Sequence, residues 1–292
     1  MRKAFIEELV TLARQHPHIA LVVGDLGYSV VEAFADEFPD RFVNAGVAEQ
    51  NMTGLAAGMA SEGYHVFTYS IANFPTFRCA EQIRNDVDYH RLPVTVVAVG
   101  GGLAYGALGY SHHAVQDYAL MRSFPHMLIA APGDPMEVRA CLRYLIEHPQ
   151  PSYLRLGKAG EPNFHAGVPE VEPGRWLPVD GTQGDAALLS TGAALGHAMA
   201  RAGKAQARVY SMPLWSMASK PLQAEQIARC TAVMTLEDHL PDGGFGSWLM
   251  ESLGTRPELR ARLQSIALDA QVCGTVGSQE TLNALGGLAL PA

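Results

Sequence analysis

Two hydrophobic patterns alternate along this chain. Nearly unbroken apolar runs, such as His18-Ile-Ala-Leu-Val-Val23 and Pro93-Val-Thr-Val-Val-Ala-Val99, are the kind that parallel strands buried on both faces require. Between them apolar residues recur at helical spacing, as Phe5, Ile6, Leu9, Val10 and Leu12 do within residues 2–15. The pattern predicts strands at 18–23, 41–44, 65–70, 93–99, 126–130 and 152–156. It predicts helices at 2–15, 30–38, 50–62, 76–90, 115–123 and 134–147. Strands alternating with helices imply a parallel sheet covered on both faces.

The pattern fails after Leu156. Residues 157–178 carry Gly157, Gly160, Pro162, Gly167, Pro169, Pro173, Gly174 and Pro178 with little periodicity, and read as a linker. Strands are predicted again at 186–190, 207–210, 232–236 and 264–268. The expected fold class is therefore α/β, with two parallel-sheet domains at 1–160 and 175–292.

Composition narrows the function classes. The chain has 292 residues, 48% hydrophobic, enough for one large core or two ordinary ones. Only 17% are charged and the net charge is -8, with no basic run longer than a pair. That argues against nucleic acid as a partner. Acids near the N-terminus do not fit a signal peptide, and no apolar stretch is long enough for a membrane span. Cys79, Cys141, Cys230 and Cys273 are widely spaced, as expected of buried thiols in a reducing cytoplasm.

In an open α/β sheet, ligands bind beyond the carboxyl ends of the strands. Asp25 and Ser29 follow the first predicted strand, Glu49 the second, Phe74 and Arg78 the third, and Gly100 to His113 the fourth, while Arg155 lies on the last of that set. Glu49 opens a helix whose Gly54 and Gly58 share one face, which lets another helix come close. The carboxylate complements the helix dipole or does chemistry. Phe74 packs in the core or stacks on a ligand. The glycine-rich run Gly100 to His113 is one form of phosphate cradle, but it lacks the Lys-Ser/Thr ending of a P-loop. His112 and His113 are adjacent, so their side chains diverge, and no metal site is expected on this chain.

Val47-Ala-Glu-Gln-Asn-Met52 followed by Gly54-Leu-Ala-Ala-Gly58 resembles the pyrimidine-binding domain of transketolase-like thiamine diphosphate enzymes. Tyr69 to Arg84 resembles that family's ring-stacking stretch, and Gly109-Tyr-Ser-His112 the end of its Asp-Gly-x-Thr-His loop. The resemblance implies that Glu49 bonds the cofactor's aminopyrimidine and that Phe74 stacks on it. It places Asp25 and Arg78 close to the cofactor and Ile71 at a second, usually aromatic, position. It makes His112 face the substrate and act with Glu49 in catalysis. Leu108 falls where the family has an aspartate for a donor hydroxyl, and Gly100 where it has a further histidine. Arg155, Arg2 of the Arg2-Lys3 pair, and Ser29 match positions around a substrate phosphate. Thr235-Leu-Glu-Asp-His239 with Gly243-Gly-Phe-Gly-Ser247 resembles an architectural element of the family's C-terminal domain.

No Gly-Asp-Gly motif for a magnesium-bound diphosphate occurs. The resemblance therefore implies one subunit of a split enzyme. An N-terminal, diphosphate-binding transketolase subunit would supply Mg²⁺ and complete the site, in a heterotetramer acting on a small sugar or keto substrate. Leu108 keeps open the beta subunit of a 2-oxo-acid dehydrogenase or a pyruvate-using synthase. A non-catalytic scaffold on the same fold is the reading from another class.

Overall fold

Apolar runs with no polar face cannot lie at a surface, and most of those described above become inner strands of two sheets. The structure, a computed structural model, describes residues 1–179 and 184–289. The strands are β1 (Ile19–Val23), β2 (Phe42–Asn44), β3 (His65–Ile71), β4 (Val94–Val99), β5 (Leu128–Ala130), β6 (Ser152–Leu156), β7 (Leu177–Pro178), β8 (Ala186–Ser190), β9 (Arg208–Ser211), β10 (Leu214–Trp215), β11 (Ala232–Leu236) and β12 (Leu263–Ile266). Among the described residues, one sheet runs β10-β5-β6-β4-β3-β1-β2 and the other β12-β11-β8-β9-β7. Both are parallel except at one edge, where β10 pairs antiparallel with β5 and β7 with β9.

Those edges depart from the purely parallel expectation. The departure at β10 ties the two units together. This strand comes from the second unit in sequence but extends the first sheet, so the sheets are not separable at the linker. Its Trp215 is fully buried and packs against Tyr118 of the first unit (centroids 5.3 Å apart) and Phe245 and Trp248 of the second (5.4 and 5.2 Å). Each such ring contributes roughly 1.5–3 kcal/mol by burial. A two-residue strand has no period to read, which is why the hydrophobic pattern does not reveal it.

Local signals explain the helices that flank the first sheet. Asp134 accepts a hydrogen bond from the Glu137 amide at 2.8 Å and Pro135 takes the first turn, so the helix Pro135–Glu147 starts where a capping residue and proline place it. It packs on the helix Arg2–Gln15, and Phe5, Leu9, Val138 and Leu142 join one core over the sheet. The helix expected over 76–90 is instead broken into Asn73–Phe77, Ala80–Gln82 and a wide π turn at Ile83–Asp88. Such turns re-aim side chains within a helix and are frequent at functional sites. The helix Glu49–Ser61 presents Gly54 and Gly58 to open space, with nothing within 4 Å of where a side chain would start. No helix of the described residues is long and apolar enough to cross a membrane.

Two buried glutamates give stability a pH dependence. Burial pushes Glu137 up to about 7 although the Gly133 amide and the Ser211 hydroxyl donate to it. Burial likewise pushes Glu237 up to about 8 although the Gly246 and Phe245 amides donate to it. Both hold a proton in the folded chain at pH values where the unfolded chain has lost it. Their contribution is fully present below the ordinary value of 4.5, and it is lost as pH rises through about 7 and about 8. The urea midpoint is therefore expected to fall between about pH 5 and about pH 8.5, and Glu237→Gln to flatten the upper part of that fall.

Candidate active site

A carboxylate that only complements a helix dipole needs no burial, yet Glu49, the first residue of its helix, is 3% exposed. Its Oε2 accepts from the Arg78 guanidinium at 3.1 Å, and its Oε1 has no partner among the described residues. Burying an unpartnered carboxylate oxygen is costly, so the geometry fits a donor that arrives with a ligand. Gly24, at the end of β1, lies against the Glu49 side chain and the Ser70 hydroxyl, which is also buried without a partner among the described residues.

From Glu49 a continuous run of contacts follows the carboxyl ends of the strands. The Arg78 guanidinium lies 4.4 Å from the centre of the Phe74 ring. The edge of His112 meets Phe74 at 5.2 Å, and Tyr105 meets His112 at 6.4 Å. Lys158 Nζ is 5.2 Å from the centre of the Tyr105 ring, and Arg2 Nε donates to the Lys158 carbonyl at 2.6 Å. The broken helix after β3 and the loop after β4 thus bring Glu49, Arg78, Phe74, His112 and Arg2 onto one wall. Ser111 Oγ lies 3.0 Å from His112 Nδ1, and Asn73 donates to the Ser111 carbonyl at 3.0 Å, which fixes the imidazole. Burial lowers the pKa of His112, with His113 and Arg78 adding to the effect, so its ring is neutral at pH 7. His113 turns the other way, towards the Gly106 carbonyl at 3.3 Å, as adjacent side chains do.

Other candidates stand beside this wall. Asp25 has a left-handed backbone (φ 53°), is exposed, and receives hydrogen bonds from Asn44 and Tyr28. Ser29 is exposed, and its amide donates to Glu32. Ile71, at the end of β3, is half-buried. Leu108 is 57% exposed at the loop tip and offers no polar group.

Arg155, which the resemblance places at a substrate phosphate, is held within the protein by other partners. It is 3% exposed and its donors are committed. Nε reaches Asp117 at 2.7 Å, Nη1 reaches Asp238 and the Tyr118 hydroxyl, and Nη2 reaches the Ala114 and Asp238 carbonyls. Asp117 precedes the linker and Asp238 follows it, so this ion-paired cluster joins the two units. Two glycines of the adjacent loop, Gly101 and Gly102, make room for it. A side chain on Gly101 would start 2.6 Å from the Arg155 guanidinium, and one on Gly102 would strike Asp238. These two glycines are therefore explained by packing around a buried charge. Besides Arg78, the cations beside the wall are Arg2 and Lys158. Pattern reading passes over Lys158 because a lysine in a linker has no distinguishing spacing. In the second unit, Glu237 caps the helix Phe245–Ser252 and His239 stacks on Tyr118 at 5.2 Å, both architectural.

An open, mostly parallel sheet with a buried carboxylate, aromatic rings and an imidazole along its strand ends makes this an α/β protein with a candidate ligand site in the crevice beyond the sheet. The chain belongs to the transketolase family, residues 1–160 matching its domain described as "Transketolase, pyrimidine binding domain". It is 36% identical over 268 residues to a subunit of the apulose-4-phosphate transketolase of Phocaeicola vulgatus, covering 88% of this chain and 84% of the relative. It is 36% identical over 290 residues to the "Putative transketolase C-terminal section" of Methanocaldococcus jannaschii, covering 97% and 90%. A solved structure described as "Split gene transketolase, inactive beta4 tetramer" superposes with a TM-score of 0.84 at 32% identity, covering 99% of this chain and 93% of that one.

Proposed function

We propose that this chain is the pyrimidine-side subunit of a split thiamine diphosphate enzyme that transfers a two-carbon ketol unit from a ketose-type donor to an aldehyde. The observation that carries the reading is the buried Glu49 Oε1, without a partner among the described residues, on the same wall as Phe74. The cofactor, when bound, supplies the electron sink for breaking a carbon–carbon bond next to a carbonyl. Glu49 would hold a proton shared with a ring nitrogen of the aminopyrimidine in a dry site, where a charge-assisted bond is strong. Phe74 offers the stacking face, worth roughly 0.5–1.5 kcal/mol beyond area burial. Arg78 would hold the charge of Glu49 until the ring is in place. His112 would hydrogen-bond substrate oxygens or move a proton between them. Arg2 and Lys158 offer positive charge to an anionic substrate tail.

A partner chain would supply the diphosphate and Mg²⁺ site, because no acidic cluster among the described residues stands at this wall. The open Gly54 and Gly58 face, with exposed Val47 and Leu55 beside it, fits contact with that partner. One relative is named as a subunit and the other as a C-terminal section, which supports the division. Calorimetry of thiamine diphosphate with Mg²⁺ tests it. Binding is expected for this chain mixed with its diphosphate-side partner and not for the chain alone. Tight binding by the chain alone would sink the split-site reading. Leu108 favours a second reading, a pyruvate-using enzyme, since a leucine cannot bond a donor hydroxyl. Turnover with pyruvate and none with ketose phosphates would select it.

A further inference from the structure

We infer that Tyr105 contacts the donor substrate and that its hydroxyl, with Leu108 nearby on the same loop, sets which donor this enzyme accepts. The inference rests on the proposed ketol transfer and adds to it a specificity residue.

The geometry begins at Gly100, the first residue beyond β4. Its backbone is left-handed (φ 80°), and the space a side chain would take there is filled by the Tyr105 ring. Tyr105 therefore stands in for a residue at the strand end itself, reached from further along the loop. The ring is pinned from behind by Gly100 and capped by Lys158 at 5.2 Å, so little freedom is lost when a ligand arrives. Its hydroxyl makes no hydrogen bond among the described residues, and the residue is only half-buried. A core tyrosine finds a partner for its hydroxyl; one on a binding wall leaves it for the ligand.

The surroundings are those of a substrate subsite. His112 lies between the Tyr105 and Phe74 rings, so Tyr105 borders the same crevice one side chain further from Glu49. The nearby Tyr69 hydroxyl is buried and unpartnered among the described residues. Burial pushes that hydroxyl up to about 12, and Arg2 and Tyr105 are near enough to act on it. Two phenols, one ammonium and one guanidinium suit an acyclic ketose carrying an anionic group: one phenol gives a hydrogen bond to a sugar oxygen while the cations take the tail. Leu108, exposed and apolar, withholds a further polar contact. A hydroxyl missing from such a site discriminates strongly between donors, because the enzyme group it should meet is left unpaired.

The test uses the assembled complex with thiamine diphosphate and Mg²⁺, and the probes are xylulose 5-phosphate, fructose 6-phosphate and pyruvate. Tyr105→Phe keeps the ring that fills the space over Gly100 and removes only the hydroxyl. It is expected to raise the KM of the preferred ketose phosphate about three- to tenfold and to narrow the preference among donors. The cofactor Kd and the unfolding midpoint should stay as in the parent, which a merely structural role would not give. Tyr105→Leu, which also removes the ring, should widen donor acceptance further. Ketol transfer by the parent with unchanged KM and donor ratios in both variants overturns the role of Tyr105 and leaves the proposed function standing. A parent complex inert towards the ketose phosphates overturns both.

Discussion

Glu49→Gln in the assembled complex is expected to lower kcat by about 10²–10³-fold, the size of effect seen when one preorganised group is removed from a reacting centre. The amide keeps the volume and can still accept from Arg78. What it loses is the capacity to share a proton with a ring nitrogen. The structure separates this loss from a loss of stability. In the chain as it stands one carboxylate oxygen is buried without a donor among the described residues, so the site carries a desolvation cost before any ligand binds. A neutral amide at that place reduces the cost. The unfolding midpoint of the variant is thus expected to equal or exceed that of the parent while turnover collapses. Steady-state kinetics with a ketose donor and a thermal scan on the same samples check both halves. Full turnover in the variant would remove Glu49 from the chemistry. A collapse of stability would mean that its role is structural.

The opposite signature is expected at Arg155. Arg155→Met should destabilise the chain by about 3–5 kcal/mol, because it leaves the carboxylates of Asp117 and Asp238 buried without their partner. The cluster sits between the units, so the change should also loosen the first sheet from the second. The combined change Arg155→Met, Asp117→Asn and Asp238→Asn should recover much of the loss, since no unpaired charge then remains in the cluster. Urea denaturation of the single and combined variants measures this. If Arg155 bound substrate phosphate instead, the single change would raise KM and spare stability. That behaviour is expected of Lys158, whose ammonium faces the Tyr105 ring on the candidate wall. Lys158→Gln is expected to raise the KM of an anionic donor without moving the urea midpoint.

Much of this arrangement is legible in the chain. The strands other than β7 and β10 follow from apolar runs, and the helix Pro135–Glu147 from its apolar spacing. The wall residues Glu49, Phe74, Arg78 and His112 all follow strands, and in an open α/β sheet those ends converge. Two limits of the pattern share a cause. Periodicity gives one continuous helix over 76–90 because it records which face is apolar, not where a π turn shifts the register. Arg155 passes for a ligand because an arginine at a strand end carries the same letter whether its fork meets a phosphate or two aspartates.

Local spacing is written in the chain, and it suffices for the alternation of buried strands and amphipathic helices, for the class of fold, and for the kind of residue at each strand end. Packing in three dimensions is what consumes Arg155 between Asp117 and Asp238, shares Trp215 between two units, lays the Tyr105 ring over Gly100, and leaves one oxygen of Glu49 without a donor among the described residues. Such outcomes depend on partners as distant as Asp238 is from Arg155, 83 positions along the chain, and on whether water is excluded from the contact. The long-range contacts that set a group's partners and its burial, and hence its chemistry, have no period to read.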